Sequence, residues 1–244
     1  MTGATRVGCV PLPRIDGRAV RWDEHRAERR LLVLDAAVAA IEEAPPGAEI
    51  NLQQIADAAG LVRTVLYRHF EGRAGLQRAV RGHIVSMIAD AVILNITLEG
   101  SIDEIIDRAL RGFVGWVDEH ANLYVWGERE LGDGQESQLL ALTQSIADQI
   151  SAVIGFAAQA LGREFDDEEQ AAIELLTFGI IGQVRGTVSS WVRRAERAPG
   201  VDALVAMLHR SMWLQIDDQA RMFGFELDPT VPVMDLFAAT AVQD

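Results

Sequence analysis

Between Leu61 and Gly72 the chain reads LVRTVLYRHFEG, and this stretch concentrates groups that can grip nucleic acid: Arg63, Thr64, Tyr67, Arg68 and His69. At helical spacing, positions 63, 64, 67 and 68 share one face. An arginine fork matches the O6 and N7 atoms of guanine, and a threonine reaches a base edge or a thymine methyl. Tyrosine and histidine donors suit phosphate oxygens. No comparable constellation exists for catalysis. The five histidines (25, 69, 83, 120 and 209) are scattered without HxxxH or HExxH spacing. Cys9 is the single cysteine, so neither a disulfide nor a thiolate metal framework is available. No phosphate-cradling GxxxxGK or GxGxxG run is present. We therefore expect no cofactor, no metal and no enzymatic activity.

These groups need elements to hold them. About half the residues are apolar, they recur mostly at helical spacing, and strand signals are poor, so the fold is expected to be all-α. Asn51 is placed as the cap of a short helix, LQQIADAA, which Gly60 ends, and a second short helix covers Val62 to His69. Counted from Leu52, Ala56 is fifth, Gly60 ninth and Leu66 fifteenth. That spacing suits a helix-turn-helix. The fifth residue must be small to face the second helix, and the ninth sits in a turn where glycine adopts a positive φ most easily. Ile55, Leu61 and Leu66 would form the wedge between the helices.

Upstream, residues 1–22 carry arginines among glycines and prolines and read as a flexible arm. Asp23 reads as the cap of a helix to about Ala44, with the stripe Leu31, Leu34, Ala37, Val38 and Ile41, and APPGAE stops it. Downstream, a connecting helix spans 73–96, with Leu76, Val80, Ile84, Met87, Ile88 and Val92 on its apolar positions. Further helices are expected near 101–119, 122–130, 135–161, 167–197 and 201–223. The run DDEE at 166–169 reads as a helix start, where acids complement the dipole. The tail after Phe225 reads as a surface strap.

The net charge of −14 is unevenly spread. Residues 1–97 hold 12 arginines against 11 acids, and residues 98–244 hold 10 against 25. The near-neutral first part carries the basic face, and remote acids leave its local field intact. The longest apolar runs read as short or charge-interrupted, so no membrane span is expected, and the N-terminal residues lack the apolar core of a signal peptide. A cytoplasmic location is expected.

INLQQIADAAGLVRTVLYRHFEGRAGL closely resembles the DNA-binding signature of the TetR family of transcriptional regulators. Ile55-Ala56, Ala59-Gly60, Leu66-Tyr67, His69-Phe70 and Leu76 all fall in register, and LLVLDAAVAAIEE is similar to that family's first helix. The resemblance covers about 31–90. It implies base reading by Arg63 and Thr64, phosphate contacts from Tyr67 and His69, and a further phosphate contact from Arg73, where the family usually has a lysine. Two departures stand out. Val62 replaces the serine that commonly caps the recognition helix, and the APPGAE loop is slightly long.

The resemblance also implies three regions: the arm (1–22), a helix-turn-helix domain (23–72), and a ligand-binding and dimerisation domain (73–244). Within the last, Gly179, Gly182, Gly186 and Ser189 make one smooth helix face. Gly182, Arg185, Gly186 and Ser189, with Met207, Arg210, Ser211 and Leu214, are the expected homodimer interface, the alternative being packing within one chain. Phe113, Trp116, Val117, Trp126, Leu142, Ile146, Phe178 and Ile181 are the expected ligand lining, the alternative being plain core. Few basic residues lie there, which favours an uncharged or amphipathic hydrophobic ligand such as a fatty acyl chain, with a cation held by acids such as Glu174 as the rival. The expected function is a ligand-responsive dimeric repressor on a palindromic DNA operator. The alternatives are a helical protein-interaction module or a cavity-bearing enzyme without DNA binding.

Overall fold

The computed structural model describes residues 17–45, 52–62, 66, 70–93, 99–129, 137–160 and 162–235. Eight helices are defined there: α1 (Gly17–Glu43), α2 (Leu52–Ala58), α3 (Gly72–Ile93), α4 (Ile102–Glu119), α5 (Ala121–Gly127), α6 (Gln138–Ala160), α7 (Asp167–Val192) and α8 (Val201–Met222). Among the described residues there is no sheet, only one isolated bridge between Ser101 and Pro232. The expected all-α architecture is observed.

α1 begins at Gly17, six residues before Asp23, so Asp23 does not cap it and the expected boundary is corrected. Residues 18–22 contain no helix breaker, and an aspartate competes for a cap only where the preceding chain leaves the helix. The buried stripe is Val33, Leu34, Ala37 and Ile41, while Leu31 is half exposed. The stripe is shifted from the expected one because Val33, Ala37 and Ile41 repeat every four residues towards α2 and α3.

α3 runs through the middle of the molecule. Its buried line, Leu76, Val80, Ile84 and Ile88, keeps the same four-residue repeat and joins the small domain to the large one in one continuous core. α3 packs against α1 on one side and α4, α5 and α6 on others. Two helices start with complete capping boxes. Ser101 and Glu104 close the front of α4, and Asp166 and Glu169 that of α7, where the acidic run lies. The segment after α8 straps back over the start of α4, with Asp103 N–H donating to Pro229 O (3.1 Å) and Val233 N–H to Gly100 O (2.9 Å).

α6 and α7 correct the expectation that no segment is apolar enough to span a membrane. Both meet that test by length and composition. In this fold α6 and α7 pack along one another. What remains uncovered on them is apolar: Phe156 on α6 is 70% exposed and Leu175 on α7 is 72% exposed.

Candidate functional site

The turn after α2 is a Schellman motif. Leu61 N–H donates to Ala56 O (2.9 Å) and Gly60 N–H to Asp57 O (3.1 Å), with Gly60 at φ +63°. Glycine enters that left-handed region without the Cβ penalty other residues meet. Ala56 is fully buried, as the fifth position of the motif requires, and Ile55 is buried beside it. The next helical bond runs from Leu66 N–H to Val62 O (3.3 Å). Leu66 and Phe70 are buried, and the Arg30 guanidinium sits 4.7 Å over the Phe70 ring. Val62, Leu66 and Phe70 recur at four-residue steps. Val62 is 71% exposed, so no side-chain cap occupies that place. Arg63, Thr64, Tyr67, Arg68, His69 and Asn51 lie outside the described residues. Arg73 is exposed in the first turn of α3.

Side chains from the large domain hold this unit in place. Asn122 Nδ2, at the start of α5, donates to Ala44 O (2.9 Å) and Glu42 O (3.3 Å) at the end of α1. His120 Nδ1 meets Glu42 Oε1 at 2.5 Å, and His83 Nε2 on α3 meets Asp35 Oδ1 at 3.2 Å. Sequence reasoning missed Asn122 and His120, because a side chain that ties off a helix from another domain carries no local pattern.

Within the large domain the expected ligand lining splits in two. Val117 is fully buried core, whereas Phe113, Trp116, Trp126, Leu142, Ile146, Phe178 and Ile181 are each half-buried. Of the expected dimer residues, Gly186, Met207, Arg210 and Leu214 are exposed, while Gly182 and Ser211 are half-buried. A Cβ added at Gly179, Gly182 or Gly186 would meet nothing within 4 Å, so the smooth face is open in the single chain. Gln183 bridges α7 to α8 by accepting from Gln215 (2.8 Å) and donating to Ser211 Oγ (2.9 Å).

Arg185 and Ser189 instead find partners inside the chain. Glu128, just after α5, has a side chain only 7% exposed. It accepts from Ser189 Oγ (2.5 Å) and Arg193 Nη2 (2.6 Å), and Arg185 Nη1 stands at 3.7 Å. Tyr124, one turn before it on α5, is fully buried with its ring edge-on to Phe113 (centroids 5.9 Å apart, 66° between planes). Two buried polar atoms of this cluster, Tyr124 Oη and Arg185 Nε, have no hydrogen-bond partner. A buried group left unsatisfied costs about 1–3 kcal/mol. Sequence reasoning missed Glu128. The signal was the polar line Arg185, Ser189, Arg193 at steps of four along an apolar helix, which calls for a buried acid opposite.

Burial, and next the Glu128 carboxylate, push the Tyr124 phenol well above its ordinary value, so it stays protonated. The stability it contributes is therefore intact below the unfolded phenol value of about 10 and declines as pH rises beyond it. The chain has two tyrosines and no lysine, so few groups compete in that range. We expect unfolding free energy to fall by about 1.4 kcal/mol per pH unit between pH 10.5 and 12 through this residue. Urea midpoints for the native chain and Tyr124→Phe check this, and an equal slope in both would refute it.

No family model matches the chain. Two sequence relatives, both uncharacterized HTH-type transcriptional regulators of Mycobacterium tuberculosis (strains CDC 1551 / Oshkosh and ATCC 25618 / H37Rv), are each 25% identical over 216 residues, covering 86% of either chain. A TetR-family transcriptional regulator from Streptomyces coelicolor superposes with a TM-score of 0.61 at 19% identity, covering 89% of this chain and 90% of that one. The chain has the TetR-family fold. A second TetR-family structure, a putative regulator from Rhodococcus sp., agrees at a TM-score of 0.58, 20% identity, and coverage of 78% and 99%. RolR, solved in complex with resorcinol, agrees at 0.51, 14% identity, and coverage of 86% and 100%. The TetR fold puts α1, α2 and the segment around Leu66 in the helix-turn-helix unit, and α4 to α8 in the larger domain. The sequence relatives are transcriptional regulators, not enzymes.

Proposed function

We propose that this protein is a dimeric, ligand-responsive transcriptional regulator of the TetR type, acting in the cytoplasm as a repressor released from a palindromic operator by a small molecule. The observation that carries the DNA-binding part is the two-helix unit: a buried Ala56, a Schellman turn at Gly60, and Leu66 and Phe70 as its core. With those side chains facing inward, helical spacing assigns Arg63, Thr64, Tyr67 and Arg68 to the opposite face. The names of the sequence relatives support the same reading.

Dimerisation is supported by the uncovered face of α7 and α8. Gly179, Gly186, Leu175, Met207 and Leu214 leave a smooth, apolar surface with no partner in one chain. A twofold pairing of these helices places two recognition helices at successive major-groove faces. Ligand response is supported by the half-buried aromatics between the helices of the large domain and by the resorcinol that RolR binds. Linkage supplies the mechanism. A ligand that favours the arrangement with wrongly spaced recognition helices lowers operator affinity, and operator lowers ligand affinity equally.

Fluorescence anisotropy with DNA flanking the protein's own coding region, titrated over salt against scrambled DNA, tests the reading. We expect tight binding that falls steeply with log salt. Arg63→Ala should lose about 1–3 kcal/mol and its sequence preference, while Tyr67→Phe should weaken all sequences alike. Absence of even low-salt, non-specific binding would refute the DNA role.

A further inference from the structure

The Glu128 cluster is more than a structural ion pair. Its charges do not balance, because Arg185 and Arg193 face a single carboxylate. This local positive excess sits within residues 98–244, where acids outnumber arginines 25 to 10. Its hydrogen bonds do not close either. Tyr124 Oη and Arg185 Nε are buried donors without acceptors, although both flank the same glutamate. The Glu128 oxygens are already engaged by Ser189 and Arg193.

Apolar side chains adjoin these donors. Phe178 and Ile181 precede Arg185 by seven and four residues on α7 and so share its side of the helix. Phe113 lies against the Tyr124 ring. All three are half-buried.

We propose that Tyr124 and Arg185 are the polar end of a binding site for a monocarboxylate with an apolar body. One carboxylate oxygen accepts from Tyr124 Oη–H and the other from Arg185 Nε–H, while the body lies along Phe113, Phe178 and Ile181. The anion also neutralises the excess charge of the two arginines, with Glu128 holding both guanidinium groups in place. An alcohol satisfies one donor and leaves the charge, and an ammonium meets two arginines. The raised phenol value keeps Tyr124 a donor. This rests on the ligand-responsive reading above, and it replaces the uncharged ligand expected from composition with an anionic one.

Isothermal titration calorimetry on the full-length protein tests it with matched probes: decanoate, decanol and decylamine, and 3-phenylpropionate against 3-phenylpropanol. At least one carboxylate should bind about ten- to a hundredfold more tightly than its alcohol, the range of a charge-assisted hydrogen bond. Arg185→Gln should erase that ratio. Tyr124→Phe should reduce it about tenfold, and it serves alone if the arginine variant fails to melt cooperatively. Equal binding of acid and alcohol, retention of the ratio in both variants, or no binding of any probe overturns the proposal. Operator binding by the same preparation separates the two readings. DNA binding without carboxylate preference removes only this inference. Carboxylate preference without DNA binding removes the regulator reading and leaves the site.

Discussion

Replacing Gly75 by alanine will destabilise the protein by about 3 kcal/mol and abolish operator binding with it. A Cβ at Gly75 would stand 1.7 Å from Phe70 O and 2.9 Å from Phe70 C. Both are backbone atoms, so no rotamer change relieves the overlap. The turn that ends the recognition segment must move away from α3, and it carries Phe70 out of the core with it. Glu71 in that turn already holds a positive φ of 55°, which leaves it little room to adjust. Urea unfolding provides the measurement, with Gly115→Ala on α4 as the control. A Cβ at Gly115 meets nothing within 4 Å, so there the better helix propensity of alanine should stabilise by about 0.5–1 kcal/mol. Similar midpoints for the two variants would show that the close approach at Gly75 is not a constraint.

Leu66→Ala should cost about 2–5 kcal/mol. Leu66 is fully buried in the cluster that contains Ile55, Ala56 and Phe70. Small domains hold only about 5–15 kcal/mol in total, so this single truncation removes a large share. The cost has two parts, the lost transfer of the side chain from water and the void left among neighbours that relax only partly. Val62→Ala, one helical turn away but exposed, should change stability by less than about 0.5 kcal/mol. Hydrogen exchange on Leu61 and Leu66 amides would show whether the helix-turn-helix opens by itself in Leu66→Ala. Unchanged exchange and an unchanged midpoint would place Leu66 outside the core that this fold assigns it.

What could be read from residue order alone follows how far apart the interacting groups lie. Ala56, Gly60, Leu66 and the α3 line Leu76, Val80, Ile84 and Ile88 were legible, because helical periodicity and a turn glycine leave their marks within a few residues. The start of α1 was not, since Asp23 can cap a helix but nothing nearby obliges it to. Arg185 and Ser189 were grouped with Gly186 on the smooth face of α7. Their partner Glu128 lies 61 residues from Ser189, and an acid at the end of a short helix reads as surface charge until the fold brings α7 over it. The apolarity of α6 and α7 was underestimated because scattered polar residues mask two long helices whose outer faces remain uncovered. The DNA-reading side chains from Arg63 to His69 rest on their spacing and on the scaffold around them.

The bond from Asn122 to Ala44 and Glu42 has a practical consequence for exchanging parts between proteins of this architecture. α1 is closed at its end by a side chain 78 residues further along the chain, across the boundary at which such proteins would be cut and recombined. A chimaera that takes residues 17–72 from this chain and its remainder from another inherits two open carbonyls unless the acceptor supplies an amide at the place of Asn122. Grafting that one residue together with His120 turns the boundary from a severed joint into a portable one.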